Sequence, residues 1–139
     1  MRYVLDTNVL IAALRSTLGA SAEVIRGVRQ GTGTFLLSTP LLLEYEAKCK
    51  EAEHLEAFSL TANDVDVVLN VLVACAERVE VNYRWRPQLR DAKDEMVLET
   101  AVNGRADALA TFNEGDFAAA AFRFGLELLE PKELLRRTL

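Results

Sequence analysis

Four carboxylates, Asp6, Glu44, Asp94 and Asp116, stand just behind short apolar segments of this 139-residue chain. Acids brought together repel one another strongly unless a proton or a cation lies among them. Oxygen ligands of this kind suit a hard divalent ion, Mg²⁺ or Mn²⁺, which keeps part of its coordination sphere for water and substrate oxygens. The matching reaction is phosphodiester hydrolysis with metal-activated water as the nucleophile. The sequence holds one histidine, His54, and two cysteines, Cys49 and Cys75, so one chain cannot assemble a zinc site of the usual Cys/His type. Each acid also has an ordinary explanation when taken alone. Asp6 can cap the following helix, and Asp94 can complement a helix dipole in a first turn. Glu44 can be one more solvated helix residue beside Glu46, Lys48 and Lys50, and Asp116 a turn residue. Their shared place at strand ends is what joins them.

The elements that would carry the acids alternate between strand and helix. Arg2–Leu5 reads as a buried strand ending at Asp6, with a helix from about Asn8 to Arg15. Ser21 is a candidate cap for a second helix that Gly31-Thr32-Gly33 ends. Phe35–Ser38 is the next strand, and Thr39-Pro40 reads as N-cap and first helical position of a helix reaching about Lys50. Thr61 and Asp64 form a capping-box pattern ahead of an apolar helical stripe, Val65 to Ala76. Val79–Val81 is a third strand, Asp94–Asn103 a helix ended by Gly104, and Ala108–Thr111 a fourth strand. Leu126–Leu128 is a short fifth strand, and Pro131 opens a terminal helix. Such alternation predicts an α/β domain over residues 1–139, with a mostly parallel sheet covered by helices on both faces. Ligands of open α/β sheets bind beyond the carboxyl ends of the strands, where these acids fall.

Half the residues are hydrophobic and about a quarter charged, a globular composition. The apolar runs are far shorter than the roughly 20 residues that span a bilayer. Asp6 and Asn8 interrupt the one stretch near the N-terminus that resembles a signal core, so the expected compartment is the cytoplasm. The net charge of −5 argues against tight, sequence-independent grip on long nucleic acid, which needs Lys and Arg on the phosphates. A nuclease remains compatible with it, because a bound cation supplies positive charge at the scissile phosphate. One basic stretch stands out: Arg84, Trp85 and Arg86 follow Tyr83 and precede Arg90 and Lys93. Aromatics there could stack unpaired bases while the arginines hold phosphates. The alternative is a solvated loop whose Trp85 packs on the core.

The blocks resemble those of the PIN-domain nucleases, especially the group that serves as toxins of prokaryotic toxin–antitoxin pairs. The resemblance runs in order along nearly the whole chain: Asp6-Thr7-Asn8-Val9-Leu10, STPLLLEYEAK with Glu44, RDAKDEMVLETAVNGRADALAT with Asp94 and Asp91, and TFNEGDF with Asn113 and Asp116. It implies a three-layer α/β/α, Rossmann-like fold and cleavage of single-stranded RNA with Mg²⁺ or Mn²⁺. It further implies that Asp6, Glu44, Asp94 and Asp116 hold metal, with Thr7, Asn8, Asp91, Thr111 and Asn113 in support. A small antitoxin protein and a second copy of the chain are the protein partners it suggests, with no membrane involved. Asn113 stands where many members carry Asp, and Lys93 replaces an acid of the third block. Two rivals remain. A degenerate PIN scaffold would bind RNA or protein without cutting. A haloacid-dehalogenase-like phosphotransferase needs a second Asp two residues after the first, and Asn8 stands there.

Overall fold

The computed structural model describes residues 1–82, 89 and 92–138. Five parallel strands form one sheet: β1 (Arg2–Leu5), β2 (Thr34–Leu37), β3 (Glu77–Arg78), β4 (Ala108–Ala110) and β5 (Glu127–Leu129), in the order β3-β2-β1-β4-β5. Tyr3 to Leu5, Phe35 to Leu37 and Ala108 to Ala110 are all buried without alternation. Successive side chains on a strand point to opposite faces, so unbroken burial means that both faces are covered. The covering helices are α1 (Thr7–Arg15), α2 (Ala20–Gln30), α3 (Thr39–Cys49), α4 (Ala52–Phe58), α5 (Ala62–Cys75), α6 (Ala92–Asn103), α7 (Glu114–Phe124) and α8 (Pro131–Thr138). The result is a three-layer α/β/α fold with a parallel sheet, as the sequence pattern predicts. Among the described residues no single helix is long and apolar enough to cross a membrane.

Local chemistry shifts several element boundaries from their expected places. Gly19, not Ser21, caps α2, and Ser21 is buried within the helix. Ser38 takes the cap of α3 in place of Thr39, its hydroxyl accepting from the Leu41 amide at 3.3 Å. Pro40 therefore sits one position deeper, where it still costs no intrahelical bond. Strand β3 forms two residues early, at Glu77–Arg78, where these residues pair with Leu36 and Leu37 of β2 and Glu77 also meets the Arg2 guanidinium. Helices α4 and α7 form where no helix is expected from the pattern. The capping box is present as read: Thr61 Oγ1 accepts from Asp64 N, and Asp64 Oδ2 accepts from Thr61 N. Hydrogen bonds from the Thr61 amide and, secondarily, from its side chain hold the Asp64 carboxyl below its ordinary value.

Gly104 matters for a reason other than the expected left-handed turn. The positive φ falls on Arg105, at 53°, while a Cβ on Gly104 would lie 2.8 Å from Val79 Cγ2 and 2.9 Å from the Thr100 carbonyl. The end of α6 thus packs directly on the sheet edge, and that close approach orients the helix bearing Asp94.

Candidate metal and phosphodiester site

The strand order reverses at β1, where β2 runs to one side and β4 to the other. In open α/β sheets the binding crevice opens at this point, beyond the carboxyl ends of the two diverging strands. Asp6 is the first residue past β1. Its amide donates to the Ala110 carbonyl at 2.9 Å, which ties it to the end of β4. Its side chain is only 5% exposed. Oδ1 accepts from the Thr7 amide at 2.7 Å and Oδ2 from the Thr111 hydroxyl at 2.7 Å. Asp6 is therefore both the N-cap of α1 and a fixed carboxylate at the crevice floor. Thr111 is fully buried, and its hydroxyl also accepts from the Asn113 amide at 2.9 Å. One threonine thus sets the chain path from β4 towards Asn113 and orients Asp6.

Glu44 reaches the crevice from α3, which two buried links hold in place. The Tyr45 hydroxyl donates to the Leu5 carbonyl at the end of β1. Burial, reinforced by the nearby Asp6 charge, pushes the Tyr45 hydroxyl well above its ordinary pKa, so it stays a donor. At the start of the helix, Ser38 Oγ and Thr100 Oγ1 lie 2.7 Å apart, and Thr100 Oγ1 also donates to the Met96 carbonyl at 2.8 Å. That bridge fixes α3 against α6, the two helices that bear Glu44 and Asp94. Apolar periodicity cannot reveal such links, and Tyr45, Ser38 and Thr100 are absent from the candidates read in the sequence. Replacing Tyr45 by Phe should cost about 1 kcal/mol of stability, the usual worth of one internal hydrogen bond. A urea midpoint indistinguishable from the unmodified chain would show that the tyrosine does not anchor α3.

The residues lining the crevice are Asp6, Thr7, Asn8, Ile11, Glu44, Lys48, His54, Asp94 and Asn113, around a volume of about 230 Å³. Three of the four predicted acids meet here. Asp116 does not line the crevice. It is exposed in the first turn of α7, and its amide donates to the Asn113 carbonyl at 3.0 Å. Glu95 lies about 100° round α6 from Asp94, a rotation that the sequence pattern directs towards solvent, yet it is 2% exposed and its Oε1 accepts from the Leu89 amide at 2.8 Å. Tyr83, Arg84, Trp85, Arg86, Arg90 and Asp91 lie outside the described residues, as does the Lys93 side chain.

The donor set fits a hard divalent cation. Three carboxylates come from the end of β1, α3 and α6, and Asn113 lines the crevice beside them. Asn8 Oδ1, on a lining residue, is buried and finds no hydrogen-bond partner among the described residues, an acceptor that a cation or its water would satisfy. Cys49 and Cys75 are free thiols, the first buried and the second exposed, and neither lines the crevice. His54 does, which the sequence pattern does not indicate. It sits on α4, a helix that the pattern does not predict, with its ring stacked on Phe58 at 5.9 Å between centroids. A second group of possible ligand atoms, from Glu51, Glu53 and His54, lies beside the crevice with all atoms within 4.8 Å of one another.

No curated protein matches the chain by sequence. In structure it is similar to VapBC2 from Rickettsia felis, solved by crystallography bound to a DNA fragment from their promoter. That likeness has a TM-score of 0.61 at 15% identity and covers 94% of this chain and 98% of the other. It supports the α/β/α architecture. A PIN-domain family model matches residues 2–115, a span that holds Asp6, Glu44, Asp94, Thr111 and Asn113 and stops one residue before Asp116. With that match over most of its length, the chain belongs to the PIN-domain family of nucleases.

Proposed function

We propose that the protein is a divalent-metal-dependent endoribonuclease that hydrolyses phosphodiester bonds of single-stranded RNA, and that it is the toxin of a toxin–antitoxin pair. The observation that carries this reading is the meeting of Asp6, Glu44 and Asp94 in one crevice at the sheet's switch point. Asp6, Glu44 and Asp94 would hold Mg²⁺ or Mn²⁺, with Asn8 and Asn113 as the neighbouring oxygen donors. Such an ion, when bound, supplies Lewis acidity at the phosphate and a nucleophilic water near neutral pH. The protein's own part is positional. Thr111 and the Thr7 amide hold the Asp6 carboxylate in one orientation, while Tyr45 and the Ser38–Thr100 bridge fix the helices bearing Glu44 and Asp94. Asp116, exposed in the first turn of α7, stands outside this ligand set.

The RNA reading rests on the family. The partner reading rests on the fold-level likeness to VapBC2, a complex, and on charge. An acidic crevice is most simply silenced by an Arg or Lys side chain inserted among the carboxylates. Co-purification of a small basic-tailed protein on expression with neighbouring genes supports the pair. Recovery of only the free chain, with no toxicity on overexpression, argues for a solitary nuclease.

Removal of metal is the direct test. Cleavage of a short single-stranded RNA should disappear in EDTA and return with Mg²⁺ or Mn²⁺. Calorimetric titration of the stripped protein should show Mn²⁺ binding that Asp94→Ala removes. Cleavage that survives thorough chelation would end the proposal. Metal binding without any cleavage would favour the inert scaffold.

A further inference from the structure

The chain carries a net charge of −5, and three of its carboxylates line the crevice, yet an RNA strand must lie across it. A metal ion neutralises charge at one phosphate only. Something else must hold the strand. Among the described residues that line it, two are basic, Lys48 and His54, and both occupy the α3–α4 side of the crevice. Lys48 lies one helical turn beyond Glu44, so both project from one face of α3. The short connection to α4 then brings His54 alongside.

A single carboxylate joins the two. Lys48 Nζ is 3.3 Å from Glu51 Oε1, and His54 Nε2 is 3.7 Å from Glu51 Oε2. The His54 ring is further held by its stack on Phe58, and its side chain is 18% exposed, sunk into the wall. These contacts limit the rotamer freedom that a long cationic side chain would otherwise lose on binding. The pair is thus a preorganised donor surface a few residues from the metal-binding acids.

We propose that Lys48 and His54, held by Glu51, form the site that grips a phosphate of the RNA strand next to the one being cut. This rests on the nuclease reading above and names the substrate-binding half of that site. The neighbouring Glu51, Glu53 and His54 group could in principle hold a metal instead. Two observations favour the phosphate. Glu51 and Glu53 are exposed, and a lysine ammonium already lies against one oxygen of Glu51.

The test compares the unmodified chain with Lys48→Met, His54→Gln and the double variant, each checked for an unchanged circular dichroism spectrum. Two quantities are read: binding of a short single-stranded RNA by fluorescence anisotropy in Ca²⁺, and steady-state cleavage in Mg²⁺. The double variant should bind about tenfold more weakly or worse, with KM raised in proportion and kcat changed little. Its dependence of log Kd on log salt should flatten by about one phosphate contact, and Lys48→Arg should restore most of the binding. Mn²⁺ affinity should stay within about twofold of the unmodified chain, since neither residue is a ligand of the acid cluster. A double variant with unaltered RNA affinity and KM overturns the phosphate grip and leaves the nuclease reading standing. A His54→Gln protein that loses Mn²⁺ overturns it in favour of a metal site at Glu51 and Glu53. An unmodified chain that neither binds nor cuts RNA removes the nuclease reading itself and the grip with it.

Discussion

Asp6→Asn should abolish metal-dependent RNA cleavage, by about 10³-fold or more, while the chain remains folded. The change removes one negative charge at the floor of the crevice, which Glu44 and Asp94 also line. The larger effect on activity follows because a ligand's charge is lost just where transition-state charge must be balanced. Stability responds to two opposing terms. Relief of repulsion among clustered acids favours the compact state without metal, and the sequence alone points only that way. The structure adds a cost. Asn can still accept from the Thr7 amide through its oxygen, but its NH₂ then faces the Thr111 hydroxyl, which now donates to Asp6. That hydroxyl already accepts from the Asn113 amide, so reversing it leaves its hydrogen without the buried acceptor it has now. The lost bond is worth about 1–2 kcal/mol, similar to the relief, so the melting temperature should move by no more than about 5 °C in either direction. Cleavage within tenfold of the unmodified chain would remove Asp6 from the metal site and leave it a helix cap.

Much of the architecture is legible because it follows from periodicity and burial. Strands β1, β2 and β4 are apolar runs apart from Arg2 and Thr34 at their starts, and each predicted helix begins or ends near a residue of known capping chemistry. The crevice is partly legible for a topological reason: parallel strands deliver their carboxyl ends to one rim, which brings Asp6, Glu44 and Asp94 together but not Asp116. Side-chain placement within a helix turn is less so. Helix α4 escapes because AEHLEAF is too short for a 3.6-residue pattern to emerge, and with it escapes the position of His54. Helix α7 escapes because Gly115 and a run of alanines blur its apolar face. Cap positions slip by one or two residues wherever neighbouring residues can all cap, as Ser38 and Thr39 can. The hydroxyl links among Ser38, Thr100, Thr111 and Asp6 join positions 62 and 105 residues apart, beyond the reach of any local pattern.

The correction at Glu95 leads to the second large effect. Helix geometry separates Glu95 from Asp94 by about 100°, and the sequence pattern points that rotation towards solvent. In the structure it turns inward: Glu95 is 2% exposed, whereas Asp94 is half-buried at the crevice. The inward set on α6 therefore includes Glu95 and Glu99 beside Val97, Leu98 and Ala101, a face that hydrophobicity alone cannot identify. Glu95 Oε1 accepts from the Leu89 amide at 2.8 Å, which ties a residue ahead of α6 to the start of the helix. Truncation to alanine has two consequences of opposite sign. It spares the cost of burying a carboxylate, which is stabilising. It also leaves the Leu89 N–H without this acceptor and opens a cavity of several heavy atoms, each costing about 1–3 kcal/mol. The second outweighs the first because the carboxylate is already bonded to the backbone, so Glu95→Ala should destabilise the chain by about 2 kcal/mol, or roughly 5–10 °C in melting temperature. Cleavage should fall with it, since the same link orients the turn that presents Asp94. Glu95→Gln keeps an oxygen for the Leu89 amide and should retain most of the stability and activity. Asp94→Ala should show the reverse pattern, with cleavage lost and the melting temperature nearly unchanged. If Glu95→Ala melts with the unmodified chain and cuts as well, Glu95 is not the anchor of α6. If Glu95→Gln is as inactive as Asp94→Ala at an unchanged melting temperature, the carboxylate charge itself serves the reaction, and Glu95 must be counted among the metal-site acids.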